Sequence, residues 1–150
     1  MIFYDTLESP LGQILLTATE RGLGAVAFTD QVPERNANVF TDQAKQQLCA
    51  YFDGDLRHFN VPLDVPGTVF QQQVWRALAG ISYGQTCAYR DIAEQIGNPN
   101  AVRAVGLANG KNPVAIIVPC HRVIGADGSL TGYASGVDRK AWLLNHESAV

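Results

Sequence analysis

Pro62-Leu63-Asp64-Val65-Pro66-Gly67 places two prolines and a glycine within six residues, a stretch that continues neither a helix nor an interior strand. It reads as a linker, because the residue pattern changes character across it. On its N-terminal side, Met1–Leu7, Gln13–Thr19 and Leu23–Phe28 are strand-like runs separated by turns at Ser9-Pro10-Leu11-Gly12 and Glu20-Arg21-Gly22. A three-stranded antiparallel meander follows. Thr41 then offers a cap for a helix in which Ala44, Leu48, Tyr51 and Phe52 recur at helical spacing until Asp53-Gly54 stops it. Residues 1–63 are therefore expected to form a small α+β domain, and residues 64–150 a second, mainly helical one.

In that second domain Thr68 caps a helix carrying Phe70, Val74 and Leu78 on one face. After a loop at Ser82-Tyr83-Gly84, the segments Tyr89–Ile96 and Asn100–Asn109 flank Gly97-Asn98-Pro99 and predict a helix-turn-helix. The second of these helices is built largely from small residues, among them Ala101, Ala104, Gly106, Ala108 and Gly110, with the single cation Arg103. Small side chains let helices pack closely. They also suit a helix whose backbone presses into a groove of DNA, with Arg103 filling the space that a displaced base leaves.

Composition narrows the class. The 150 residues are 47% hydrophobic and 17% charged, ordinary for a chain that folds alone. No apolar run approaches the roughly 18–20 residues that cross a bilayer, and Met1-Ile2-Phe3-Tyr4-Asp5 lacks the basic and apolar regions of a signal peptide. A cytoplasmic location without a membrane partner is expected. Cys49, Cys87 and Cys120 form no CxxC pair, and they do not fall at metal-ligand spacings with His58, His121 or His146, so neither a disulfide framework nor a metal is expected. Cys49 and Cys87 read as core residues. The net charge of -3 hides an asymmetry: residues 1–64 carry four basic and nine acidic side chains, whereas residues 65–150 carry seven and five. A polyanion would meet the second half, held by local positive groups and sensitive to salt.

Val114-Ala115-Ile116-Ile117-Val118 is a continuous apolar run that reads as a buried strand delivering the chain to Pro119-Cys120-His121-Arg122. A thiol is nucleophilic only as thiolate, and its ordinary pKa of about 8.5 calls for a neighbouring base or cation. Neighbouring residues on an extended chain face opposite ways, so His121 reaches the thiol through a bridging water unless the backbone turns sharply after Pro119. A histidine base needs its second nitrogen held. The helix Asp138–Glu147 brings Glu147 to that task, making Cys–His–Glu one reading and a buried, inert cysteine the other.

The block Asn112-Pro113-Val114-Ala115-Ile116-Ile117-Val118-Pro119-Cys120-His121-Arg122-Val123-Ile124 resembles the active-site signature of the O6-alkylguanine-DNA alkyltransferases, the methylated-DNA–protein-cysteine methyltransferases. Tyr83-Gly84, Tyr89-Arg90-Asp91-Ile92-Ala93 and Arg103-Ala104-Val105-Gly106 resemble the family's helix-turn-helix. Gly132-Tyr133, Lys140-Ala141-Trp142-Leu143-Leu144 and His146-Glu147 resemble its closing segment. The resemblance is strong over residues 68–150 and covers residues 1–63 only in general layout, for which it implies a ribonuclease H-like arrangement of sheet and helix.

What the resemblance implies is specific. Cys120 would be the alkyl acceptor, His121 its water-mediated base, Glu147 the group that orients His121, and Asn112 the brace of the turn between recognition helix and active site. Tyr89 would donate a hydrogen bond to the guanine ring as charge develops on it. Arg103, Ala104, Gly106, Tyr89 and Arg122 would contact double-stranded DNA carrying alkylated guanine, through the minor groove. Tyr133, Val123, Gly136 and Lys140, with the 131–136 loop, would wall the base pocket. The implied reaction is a single, irreversible, stoichiometric transfer to Cys120 from O6-alkylguanine, and by extension from O4-alkylthymine, with no cofactor and by a monomer. Ala134 departs from the serine that family members often place after the tyrosine, which removes or shifts one hydrogen bond to the base. Three competing readings are weaker. A lesion sensor of the alkyltransferase-like kind would lack the acceptor cysteine, a plain helix-turn-helix regulator would carry more polar residues than Arg103 on its second helix, and a Cys–His hydrolase would turn over.

Overall fold

Ile14, Leu16 and Ala18 alternate with Gln13, Leu15 and Thr17, which puts the first three side chains on one face of a strand, and in the computed structural model all three are fully buried. That strand, β2 (Gly12–Ala18), lies between β1 (Phe3–Ser9) and β3 (Leu23–Phe28) in an antiparallel sheet of order β1-β2-β3. Leu7 stands opposite Ile14 and Leu16 opposite Val26, so the paired strands line one apolar face. Helix α1 (Val39–Phe52) packs on the sheet and buries Ala44, Leu48 and Tyr51 completely. The structure describes residues 1–130 and 132–148, and the chain divides into two compact units, residues 1–66 and 67–150.

Two expectations for the first unit are corrected. Asn38, not Thr41, caps α1: its Oδ1 accepts from the amides of Phe40 and Thr41, both at 3.0 Å, while Thr41 Oγ1 accepts from the Asn38 amide at 2.9 Å. The two residues form a reciprocal capping box, so the helix starts before the threonine. Cys49 is exposed rather than in the core, because it falls outside the stripe that Ala44, Leu48 and Tyr51 turn to the sheet.

The first half of the expected linker is not free chain. Leu23 N–H donates to the Pro62 carbonyl and Asp64 N–H to the Leu23 carbonyl, each at 2.8 Å, so residues 62–64 extend the edge of β3. Gly22 permits this approach, since a Cβ there would lie 2.8 Å from backbone atoms of Pro62 and Leu63. The division consequently falls after Pro66.

The second unit opens with α2 (Val69–Ala79), capped as expected by Thr68, whose side chain accepts from the Gln71 amide. Val74 and Leu78 are buried, and Trp75 Nε1 donates to the Ala108 carbonyl at 2.9 Å, which ties α2 to α4 (Val102–Gly110). Between them α3 (Tyr89–Gln95) packs on both α2 and α4, and Gly97 turns the chain at φ +78°. Two-residue strands β4 (Cys87–Ala88) and β5 (Val123–Ile124) pair in parallel, and α5 (Val137–His146) ends with Glu147 as its C-cap. No helix among the described residues is long and apolar enough to cross a membrane.

The apolar run before Cys120 is buried but is not a strand. Val114, Ala115, Ile116 and Val118 are all below a tenth exposed, yet Ile117 N–H bonds back to the Ala115 carbonyl at 2.8 Å and Val118 N–H to that of Val114 at 3.0 Å. The segment coils on itself, with Ile116 at φ +72°, a region that a β-branched side chain enters only at a cost of about 1–3 kcal/mol. An apolar run reports burial, whereas strand formation needs a partner along its length.

Candidate active site

Asn112 supplies partners to both ends of the coiled segment. Its Oδ1 accepts from the Val114 amide at 3.1 Å, and its Nδ2 donates to the Val118 carbonyl at 2.8 Å. The amide side chain thereby bridges the two ends of the run, and Pro119 starts a 3-10 turn over Cys120–Arg122. This is the sharp turn that frees Cys120 and His121 from opposite-facing positions. Both are buried, Cys120 6% exposed and His121 not at all.

Burial dominates the electrostatics of the thiol. It pushes the Cys120 pKa up, while a hydrogen bond with the Asn112 side chain and the charge of Lys140 pull it down. Resting Cys120 is therefore a thiol that needs a base. His121 meets the requirement: burial holds its pKa below the ordinary imidazole range, against the pull of Glu147, so it is neutral. Its Nε2 lies 2.8 Å from Glu147 Oε2. A carboxylate accepts, so Nε2 carries the proton and Nδ1 the lone pair. Nδ1 is buried and has no hydrogen-bond partner among the described residues.

Lys140, on the inner face of α5, is fully buried, and its Nζ donates to the Val123 carbonyl at 2.5 Å. Burial lowers its pKa and the neighbouring Cys120 raises it. Tyr133 is buried with its hydroxyl unpartnered among the described residues, and burial, with a smaller contribution from Cys120, pushes its pKa far above the usual phenol range. Gly136, at φ +104°, is the N-cap of α5 and accepts from the Lys140 amide at 3.2 Å. Residue 131 of the 131–136 loop lies outside the described residues. Cys87, half-buried, has its pKa pushed up to about 11 by burial and by Asp91, so it is an unreactive thiol rather than a core one.

The helix-turn-helix places a second group. Arg103 and Ala104 are exposed on α4, and Gly106 is half-buried, where a Cβ would lie 3.9 Å from the Tyr89 ring. The Tyr89 hydroxyl sits where a Cβ on Gly132 would meet it at 2.9 Å, so Tyr89 lies between α4 and the 132–136 segment.

Arg122 requires a correction. Expected among the DNA contacts, it is 5% exposed, with Nε and Nη2 on the two Glu147 oxygens at 2.8 and 3.0 Å and Nη1 on the Ile81 carbonyl at 2.6 Å. Three of its five N–H groups are engaged inside the protein, and at 5% exposure it offers little surface to a phosphate. Its place just before the apolar pair Val123-Ile124 was a signal of burial. The Ile81 carbonyl carries none, since any residue has one.

Comparison with known proteins gives the family. A family model described as the DNA binding domain of 6-O-methylguanine DNA methyltransferase matches residues 69–149, and one described as its ribonuclease-like domain matches residues 2–65. The methylated-DNA–protein-cysteine methyltransferase of Methanosarcina acetivorans is 52% identical, with 99% of each chain covered. The crystal structure of the Mycobacterium tuberculosis O6-methylguanine methyltransferase superposes with a TM-score of 0.90 at 49% identity, covering 99% of this chain and 93% of that one. A structure of the M. tuberculosis protein in complex with DNA matches at 0.89 and 50% identity over 97% and 92%. With both family models matched and about half the residues shared along the whole chain, this chain belongs to the methylated-DNA–protein-cysteine methyltransferase family.

Proposed function

We propose that the chain repairs duplex DNA by moving the alkyl group of O6-alkylguanine onto Cys120, once per molecule. The observation that carries this reading is the turn at Cys120–Arg122, where a buried thiol adjoins a neutral histidine whose Nε2 is engaged by Glu147 and whose Nδ1 is not. Although the chain turns sharply here, His121 Nδ1 makes no hydrogen bond to the thiol among the described residues, so the Cys120 proton passes through a water to Nδ1, and Sγ attacks the alkyl carbon in line. The Sγ–C bond forms as the C–O6 bond breaks, the electron pair stays on the guanine oxygen, and the base takes up a proton as it leaves. Asn112 and Lys140 favour the forming thiolate. The atoms balance without a cofactor. The thioether has no second acceptor, so the protein is consumed.

The base has to leave the stack to reach a buried sulfur. Arg103 fills the gap from α4, whose small residues Ala104 and Gly106 bring its backbone close to the floor of the minor groove, and Tyr89 donates to the extruded guanine. Tyr133, Val123, Gly136 and Lys140 wall the pocket, and Ala134 leaves one side of it without a hydroxyl. The protein acts as a monomer in the cytoplasm, where thiols stay reduced. Intact-protein mass spectrometry after incubation with a duplex holding one O6-methylguanine tests the reading. One methylene gained on Cys120, saturating at one equivalent and absent from Cys120→Ala, is expected; transfer retained by Cys120→Ala would overturn it.

A further inference from the structure

Arg122 ties together three separate segments of the second unit. Its Nε and Nη2 grip both oxygens of Glu147, its Nη1 holds the Ile81 carbonyl in the loop after α2, and its guanidinium carbon lies 5.7 Å from the Tyr83 ring centroid. The Tyr83 hydroxyl donates in turn to the His146 carbonyl at 3.4 Å, one residue before Glu147. A carboxylate gripped at both oxygens by a fork of this kind has its orientation set.

The charge matters as much as the geometry. The charged groups acting on His121 are Glu147 at the end of α5, Lys140 on α5 and Arg122 in its own turn; Cys120, Tyr133, Arg139 and Tyr83 stand beside this cluster. Burial is the first cause of a neutral His121, the Glu147 carboxylate pulls toward imidazolium, and the Arg122 charge opposes that pull. An imidazolium has no lone pair with which to accept the thiol proton. Arg122 already pairs with Glu147, so a proton on His121 would put a further positive charge near Arg122 and Lys140, both of which oppose it, in a buried site.

We propose that Arg122 is a positioning residue of the transfer reaction: it sets Glu147 in place and satisfies its charge, so that His121 waits as neutral imidazole with the Nε2 proton on Glu147 and Nδ1 open. The kinetic part rests on the reading of Cys120 as acceptor; the state of His121 does not.

The test uses the full chain labelled with 15N and compares the wild type with Arg122→Met and Arg122→Lys. Imidazole spectra should give His121 as the neutral Nε2–H form at pH 7 in the wild type, with its titration raised by about one unit or more in Arg122→Met. The acid limb of the single-turnover methyl-transfer rate should move up in pH by the same amount in Arg122→Met, a loss of about tenfold on that limb that is recovered as the pH rises, since deprotonating His121 restores the base. Arg122→Lys, which keeps the charge and loses the fork, should return the acid limb to its wild-type position. A rate loss in Arg122→Met that is equal at every pH would reduce Arg122 to a structural brace and overturn the proposal. If that variant does not fold, the wild-type spectrum still decides, because imidazolium at pH 7 would refute it. No transfer by the wild type at any pH would instead sink the functional reading and leave the His121 result standing.

Discussion

The two units bury polar groups in different ways. In the first, Asp5 and Thr41 are the buried polar residues, and both are closed by partners at hand: Asp5 accepts from the Thr6 amide at 2.8 Å and pairs with Arg35 and Lys45, and Thr41 sits in the capping box. In the second, Asn109, His121, Arg122, Lys140 and Glu147 are buried. Two of them converge on the Glu147 carboxylate, while His121 Nδ1 and the Tyr133 hydroxyl stay open among the described residues. Gln43 Oε1 in the first unit and Asn109 Oδ1 in the second are also buried without a partner among the described residues, so what sets the second unit apart is that an open acceptor on His121 and an open hydroxyl on Tyr133 belong to the surroundings of a thiol.

Removing the centre of the buried network should have the largest effect. Glu147→Ala leaves Arg122 and His121 without their carboxylate, and a loss of about 3–5 kcal/mol is expected in urea unfolding. A loss below about 1 kcal/mol would mean that the network is not the keystone of the second unit. Leu16→Ala in the first unit should cost about 2–5 kcal/mol through the cavity it opens, with the transfer rate of the folded protein unchanged. A slowed transfer would blur the division between a folding unit and a reacting one.

A smaller effect separates the units by pH. The native pKa of His121 is lowered, chiefly by burial, so below the unfolded value of about 6.5 the unfolded chain binds a proton that the native state refuses. Stability from this group is whole above that pH and is lost as the pH falls, by up to about 1.4 kcal/mol per unit. Urea midpoints between pH 7 and pH 5 measure it, and His121→Gln should flatten the slope; an identical slope in that variant would refute the assignment. Smallest of the four, Asn38→Ala should cost about 1 kcal/mol by removing the α1 cap, read as a shift in thermal midpoint.

Much of this was legible in the amino-acid order. The alternation in Gln13–Thr19 and the helical spacing of Ala44, Leu48 and Tyr51 in α1 are local periodicities that survive in any fold that buries one face, and they placed the sheet and its helix to within a few residues. Pro119-Cys120-His121-Arg122 marked the reactive turn through residue chemistry, and Glu147 was found because a histidine base needs a partner. Other features were not legible. Continuous apolarity told of burial around Ile116 but not of conformation, because the segment takes hydrogen-bond partners from the Asn112 side chain and from its own turn, which no run of apolar residues announces.

The sequence by itself determined which residues could react and which runs had to be buried, since both follow from side-chain chemistry and from periodicity along the chain. Only the tertiary structure decided where Arg122 points. Its partners are a carboxylate 25 residues away and a backbone carbonyl 41 residues away, and no local pattern encodes which distant groups a guanidinium will meet once the chain has closed around it.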